Sequence, residues 1–137
     1  MEYPSSGMKN PSRFITTHNA EGKAGFSDQI SPVVQALNIK THAMDFFTMY
    51  TFATLPAQIS GEEDINAYAQ ALVSPPNITI PGGIVARICD FPPGYISAMH
   101  RMVSLDFRLV VNGETELVLD SGETRSCSAL AYLKRCE

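Results

Sequence analysis

Cysteine is scarce in this chain. Cys89, Cys127 and Cys136 are the only three among 137 residues, and none stands in Cys-x-x-Cys spacing. That shortage excludes a zinc ribbon, a thiol redox motif and a disulfide framework. Three reduced thiols are expected, with a Cys127 to Cys136 bridge as the alternative. Basic clusters are missing as well: the longest is the pair Lys134-Arg135, and the formal net charge is -4. No surface for tracking phosphates follows, so a nucleic-acid partner is not expected. No apolar run approaches the roughly 18 to 20 residues of a membrane span, which argues against a membrane protein. The opening MEYPSSGMKNPSR has neither a basic start with an apolar stretch nor a small-residue cleavage site. A cytoplasmic location is therefore expected, where the sequon Asn77-Ile78-Thr79 has no meaning. Nucleophile elbow, phosphate-cradling glycine loop and His-Glu-x-x-His helix are all lacking, which removes serine hydrolase, kinase and metalloprotease readings.

What is present is ordinary for a globular protein: 45% hydrophobic and 18% charged residues, with the apolar ones in short dispersed runs. The length suits one domain with a core that needs no disulfide staples. Residues 1–12 are polar, with two prolines and no periodicity, and read as a flexible arm ahead of a single domain over 13–137. Arg13 to Thr17 suits a short strand, and Asn19 to Lys23 a turn. Val33 to Ile39 fits a strand or a short helical turn. In Met44 to Thr54 aromatic and β-branched residues dominate, which predicts a strand with Phe46, Thr48, Tyr50 and Phe52 on one face. Gly61 to Pro76 reads as the one helix, with Glu62, Glu63 and Asp64 at its positive end and Ser60 with Glu63 as a capping box. It would cover an opening at the rim of the strands or fill a connection there. Gly83 to Phe91 is the next strand, bounded by Pro81-Gly82-Gly83 and Pro92-Pro93-Gly94. His18 and His42 lie in loop-like settings with no partner pattern. Short strands between Gly/Pro turns predict an all-β barrel or sandwich.

The stretch Gly94 to Gly122 carries the densest signals. Asn112-Gly113 stands between the apolar runs Phe107 to Val111 and Leu117 to Leu119, and this pair tolerates the positive φ angles of a tight hairpin turn. If 100–110 is extended, His100, Met102, Ser104, Asp106 and Arg108 share one polar face. A straight strand would hold His100 and Asp106 about 20 Å apart, so a shared site needs a bend near Val103 to Leu105.

Gly94, five residues, His100, one residue, Met102, three residues, Asp106, six residues and Gly113 resembles the first cupin motif in spacing. In that family the motif is glycine, five residues, His-x-His, three or four residues, Glu, six residues, glycine. The His pair and the Glu bend into a small barrel and hold a metal ion. Here Met102 replaces the second His and Asp106 the Glu. The wording FPPGYISAMHRMVSLDFRLVVNGETELVLDSGETR is similar to small fungal cupins of secondary-metabolite gene clusters, some described as oxidoreductases. That group carries His-Arg-Thr at this point, with an acidic residue four further on. The resemblance runs from about Arg13 to about Arg125. It implies a cupin-type jelly-roll β-barrel with one short helix in a rim insertion, and a homodimer through the N-terminal strand. It also implies a second motif, ending in Pro-x-Gly-x-x-His, which is absent before Glu137. On this reading the barrel is incomplete at the C-terminus. The tail SCSALAYLKRCE, with modest helical character over Ala129 to Arg135, would reflect altered splicing, a shifted frame or a variant that closes its sheet by dimerising.

The candidate site is thus a small-molecule pocket. His100 and Asp106 are its catalytic pair, and Met102, Arg108 and Arg87 contact substrate. His100 and Asp106 are chemically suited to Fe, Mn or Zn. Two ligands are one short of the usual set and a thioether is a poor third, so the cofactor is left unknown, with no tightly bound metal favoured. Without metal, His100 would act as general base or acid with Asp106 fixing its tautomer. That suits enolisation, dehydration or isomerisation of a polyketide-like carbonyl compound. Equally, Asp106 with Arg108 or Arg101 would be a structural salt bridge, and Arg87 the decoration of a strand face. Two functions follow: a tailoring oxidoreductase or isomerase of fungal secondary metabolism, or a non-catalytic cupin that binds a ligand or a partner.

Overall fold

The computed structural model describes residues 6–39 and 44–136, of which 132–136 are described by backbone alone. They fall into two compact units, 1–96 and 97–137. His42 lies outside the described residues, and so do the first five residues of the N-terminal arm.

In the first unit, β1 (Thr16–His18) and β2 (Ala24–Phe26) form an antiparallel hairpin. His18 therefore ends a strand instead of sitting in a loop. The turn works as its residues dictate. Asn19 accepts the amides of Glu21 and Lys23 on its side-chain oxygen, at 3.0 and 2.9 Å, and Gly22 takes φ 75°. Before the hairpin, Pro11 to Arg13 lie against Pro32 to Val34 through two backbone hydrogen bonds and a bridge from Ser12 to Val33. Ser6 donates its hydroxyl to the buried Asp90 carboxylate.

The main sheet has the order β3-β4-β5, with β3 (Leu37–Ile39), β4 (Met44–Phe52) and β5 (Ile84–Asp90) all antiparallel. The two-face reading of β4 holds only in part, because the register with β5 shifts between Thr48 and Tyr50. Met49 is an extra residue there, and such a bulge interrupts strict alternation. Phe47 and Thr48, neighbours on opposite faces just before the bulge, are both buried, so each face of β4 is covered there.

A 3-10 turn over Ser60–Glu62 leads into α1 (Glu63–Val73). Gly61 and Glu62 are both left-handed, at φ 63° and 59°, so Glu62 takes the N-cap position and no side-chain cap forms. The capping box expected of Ser60 and Glu63 is not formed, since two successive left-handed residues carry Ser60 away from the cap position. α1 buries Ile65 and Tyr68 and docks on β4 by two hydrogen bonds. Tyr68 donates to the Thr48 carbonyl at 2.6 Å, and Tyr50 to Asp64 at 2.7 Å. Val34, Phe47, Ile65 and Tyr68 make up this unit's core.

Gly83, at the foot of β5, has no room for a side chain. A Cβ there would stand 2.1 Å from the Phe52 carbonyl oxygen and 2.7 Å from Ile80 Cγ2. Because the closer obstacle is backbone of the paired strand, Gly83→Ala is expected to cost about 3 kcal/mol. Urea denaturation followed by far-UV circular dichroism measures it, and a midpoint unchanged from wild type would refute the contact.

The second unit holds β6 (Leu105–Leu109), β7 (Glu114–Val118), β8 (Thr124–Ser128) and β9 (Tyr132–Cys136). β7 and β8 form a hairpin about the turn at Asp120 to Glu123, where Gly122 takes φ 86°. β6 pairs with β9 outside it. The hairpin expected across Asn112-Gly113 is therefore corrected. Gly113 does take φ 80°, but the two strands it joins find other partners. The β6 ladder runs on past Leu109, with Val110 exchanging backbone bonds with Ala131 and Leu130 at 3.1 and 2.8 Å. The helical character expected of Ala129 to Arg135 is corrected too. A turn from Ser128 to Ala131, with Leu130 at φ 71°, sends the segment back as a strand. Register on β6 offers a full ladder, which outweighs a weak local propensity. Buried Cys127 carries a free thiol in the β8 strand.

The described strands thus form four small antiparallel sheets and one helix, an all-β architecture with no closed barrel among the described residues.

Candidate functional site

β6 presents its residues in an unusual sense. Leu105, Phe107 and Leu109 are 55%, 64% and 56% exposed, while Asp106 and Arg108, on the opposite face, are half-buried. The strand period of two puts the two charged residues side by side. Arg108 Nη2 lies 3.1 Å from Asp106 Oδ2, and Ser104 donates its hydroxyl to Oδ1 at 2.9 Å. Both carboxylate oxygens are engaged, so Asp106 is fixed in place. The chain bends at Val103 and Ser104, just before β6.

His100 lies before that bend in irregular backbone, exposed, with Nδ1 2.8 Å from the Ala98 carbonyl oxygen. A carbonyl only accepts, so Nδ1 carries the proton and Nε2 is the basic nitrogen of the neutral ring. Met102, between His100 and Asp106 in sequence, is half-buried. Arg101 pairs with Asp120 at 3.3 Å on the exposed surface, a contact worth little. Of the anticipated site residues, the structure joins Asp106 with Arg108 and holds His100 on backbone.

Arg87 belongs to the first unit. From β5 it donates to the carbonyls of Ile78 and Asn77, at 2.6 and 2.9 Å, and its guanidinium lies 5.4 Å from the Phe46 ring centre. Burial pulls its pKa below the ordinary arginine value. These bonds fasten the loop before β5 to the sheet.

The chemistry of a divalent metal asks for three or more converging donors. Among the described residues no group of three His, Cys, Asp or Glu side chains comes together. The described donor set does not fit a cupin metal, and the steps considered below run without one.

One cluster was not anticipated. In the first unit Arg13 stacks on Tyr68, 4.9 Å from the ring centre, and the Tyr50 ring lies 4.5 Å from that of Tyr68. Arg13 Nε and Nη1 are buried and have no acceptor among the described residues. Donors walled off from water without acceptors cost on the order of several kcal/mol for a charged group, and a ring face returns only about 0.5–2 kcal/mol. Burial raises the pKa of Tyr50, with the hydrogen bond to Asp64 acting the same way, and burial raises that of Tyr68. Arg13 opposes both shifts. Nothing in the sequence linked residue 13 to residues 50 and 68. The available signal was an arginine immediately ahead of the apolar pair Phe14-Ile15.

No family model matches the chain. It is 42% identical over 118 residues to phomopsin biosynthesis cluster protein C′ of Diaporthe leptostromiformis, covering 86% of this chain and 62% of that protein. It is 39% identical over 124 residues to oryzines biosynthesis cluster protein J of Aspergillus oryzae, covering 89% and 68%. A cupin-domain-containing oxidoreductase of Hypocrea virens is 37% identical over 123 residues, covering 90% of this chain and 61% of its own length. The class is thus an all-β protein similar to fungal biosynthetic-cluster proteins. The chain belongs to the small fungal cupin-domain family, and it spans about three fifths of the length of the first curated relatives it matches. No described helix is long and apolar enough to cross a membrane.

Proposed function

We propose that the chain is a cupin-fold small-molecule enzyme, a tailoring catalyst of fungal secondary-metabolite biosynthesis that moves protons on a polyketide-like carbonyl compound. The observation that carries this is the identity of 35–42% with biosynthesis-cluster proteins and cupin-domain-containing oxidoreductases over about nine tenths of the chain. The nesting of the β7–β8 hairpin inside the β6–β9 pair supports a jelly-roll, since a rolled long hairpin pairs its strands from the outside inward.

In this reading His100 takes a proton from the carbon beside a carbonyl onto Nε2. The bonding electrons move to the carbonyl oxygen as an enolate, and the proton returns at another carbon or leaves with a hydroxyl group as water. Asp106, held by Ser104 and Arg108, supplies a fixed carboxylate to orient a substrate hydroxyl. Proton transfer of this kind makes the tailoring step an isomerisation or dehydration, and an oxidoreductase step is the alternative that the names of the cupin-domain relatives support.

The exposure of His100 favours a second reading, a non-catalytic cupin that binds a ligand or partner. Deleting the encoding gene and profiling the metabolites separates them. Loss of one secondary metabolite with build-up of an isomeric or hydrated precursor is the expected result. An unchanged profile would overturn the enzyme.

A further inference from the structure

We propose that Arg13, with the rings of Tyr68 and Tyr50, forms a binding site for a carboxylate carried on an aromatic or other apolar body. Two of the three guanidinium nitrogens are buried without an acceptor among the described residues. The guanidinium makes no ion pair among the described residues, and its neighbour is the face of Tyr68 at 4.9 Å. That ring offers charge attraction but no hydrogen-bond acceptor. Asp64, the acid bonded to the cluster, is engaged by the Tyr50 hydroxyl at 2.7 Å. Two donors therefore await an acceptor that the described chain does not supply.

The chemistry of the cluster selects the ligand. A guanidinium matches a planar carboxylate by paired hydrogen bonds. Tyr50 stacks with Tyr68 and with Phe52, at 4.5 and 5.2 Å between ring centres, so the surroundings of the anion are aromatic. One cation, with the Asp64 carboxylate close by, offsets a single negative charge better than the two of a phosphate. Because Nε and Nη1 are closed to solvent, the ligand enters as the Arg13 side chain turns on the Tyr68 face, and the anion then satisfies both donors. The site lies in the first unit and is independent of the proton-transfer reading at His100.

The test follows the Arg13 Nε–H resonance by proton–nitrogen NMR while sodium benzoate is added at constant ionic strength, with benzamide and inorganic phosphate as the comparisons. Benzoate should shift the Arg13 signal and the Tyr68 ring signals saturably, with binding at least about tenfold tighter than benzamide or phosphate. Arg13→Gln should weaken benzoate binding at the Tyr68 ring by about tenfold or more, with Arg13→Lys intermediate. The proposal is overturned by the absence of a saturable shift, by equal binding of benzamide or phosphate, or by undiminished binding in Arg13→Gln. Should that variant not fold, the three-ligand comparison on the wild type decides alone.

Discussion

Tyr68→Ala is expected to remove about 3–5 kcal/mol of stability from the unit that contains it. Tyr68 has no exposed surface, its ring contacts Tyr50 and Arg13, and its hydroxyl is bonded to the Thr48 carbonyl. Truncation therefore leaves a ring-sized hole between α1 and β4 and takes away the stacking surface of a half-buried cation. Tyr68→Phe keeps the ring and loses only the hydrogen bond, and should cost about 1–2 kcal/mol. The difference between the variants isolates packing from hydrogen bonding. Urea titrations read by far-UV circular dichroism, with the slope compared as well as the midpoint, are the measurement. A loss below about 1 kcal/mol in Tyr68→Ala would mean that the helix is not held this way.

His100→Ala is expected to do the opposite, leaving stability within about 0.5 kcal/mol of wild type while turnover falls by about 10²- to 10⁴-fold. The stability expectation follows from the exposed position of the ring and the local nature of its bond to Ala98. The activity expectation follows from the loss of Nε2 as proton carrier. The substrate is the precursor that accumulates in the deletion strain, and conversion is followed by liquid chromatography. Asp106→Asn keeps the shape but weakens the pair with Arg108, and a loss smaller than that of His100→Ala is expected. Conversion by His100→Ala at the wild-type rate would remove this residue from the mechanism and return the protein to the binding-module reading.

Local chemistry was legible where one or two residues decide the backbone. Asn19 and Gly22 make the first turn, Gly122 the one between β7 and β8, and the prolines and glycines around β5 mark both its ends. The aromatic content of β4 and the alanine-rich run of α1 also showed through. Pairing did not. Asn112-Gly113 says that the chain changes direction with a positive φ, but which strand β6 then meets depends on 132–136, some twenty-five residues on. The same distance effect hid the strand β9 behind a weak helical pattern. Ser60 and Glu63 have the spacing of a cap, yet left-handed Gly61 and Glu62 undo it, and side-chain spacing carries no record of backbone handedness. At the site, the period of two placed Asp106 beside Arg108 from sequence alone, and a bend lies at Val103 and Ser104. The Arg13 cluster spans segments far apart in the chain, so no local pattern revealed it.

Helix α1 is tied to β4 through a main-chain oxygen beside the register shift at Met49. The anchoring atom belongs to every amino acid, so residue 48 is free to vary in type without untying the helix. The spacing of the strand is not free in the same way. Shortening β4 by a single residue at 49 would restore even alternation and rotate that oxygen relative to the Tyr68 hydroxyl. Here the count of residues, more than their identity, carries the information that seats the helix.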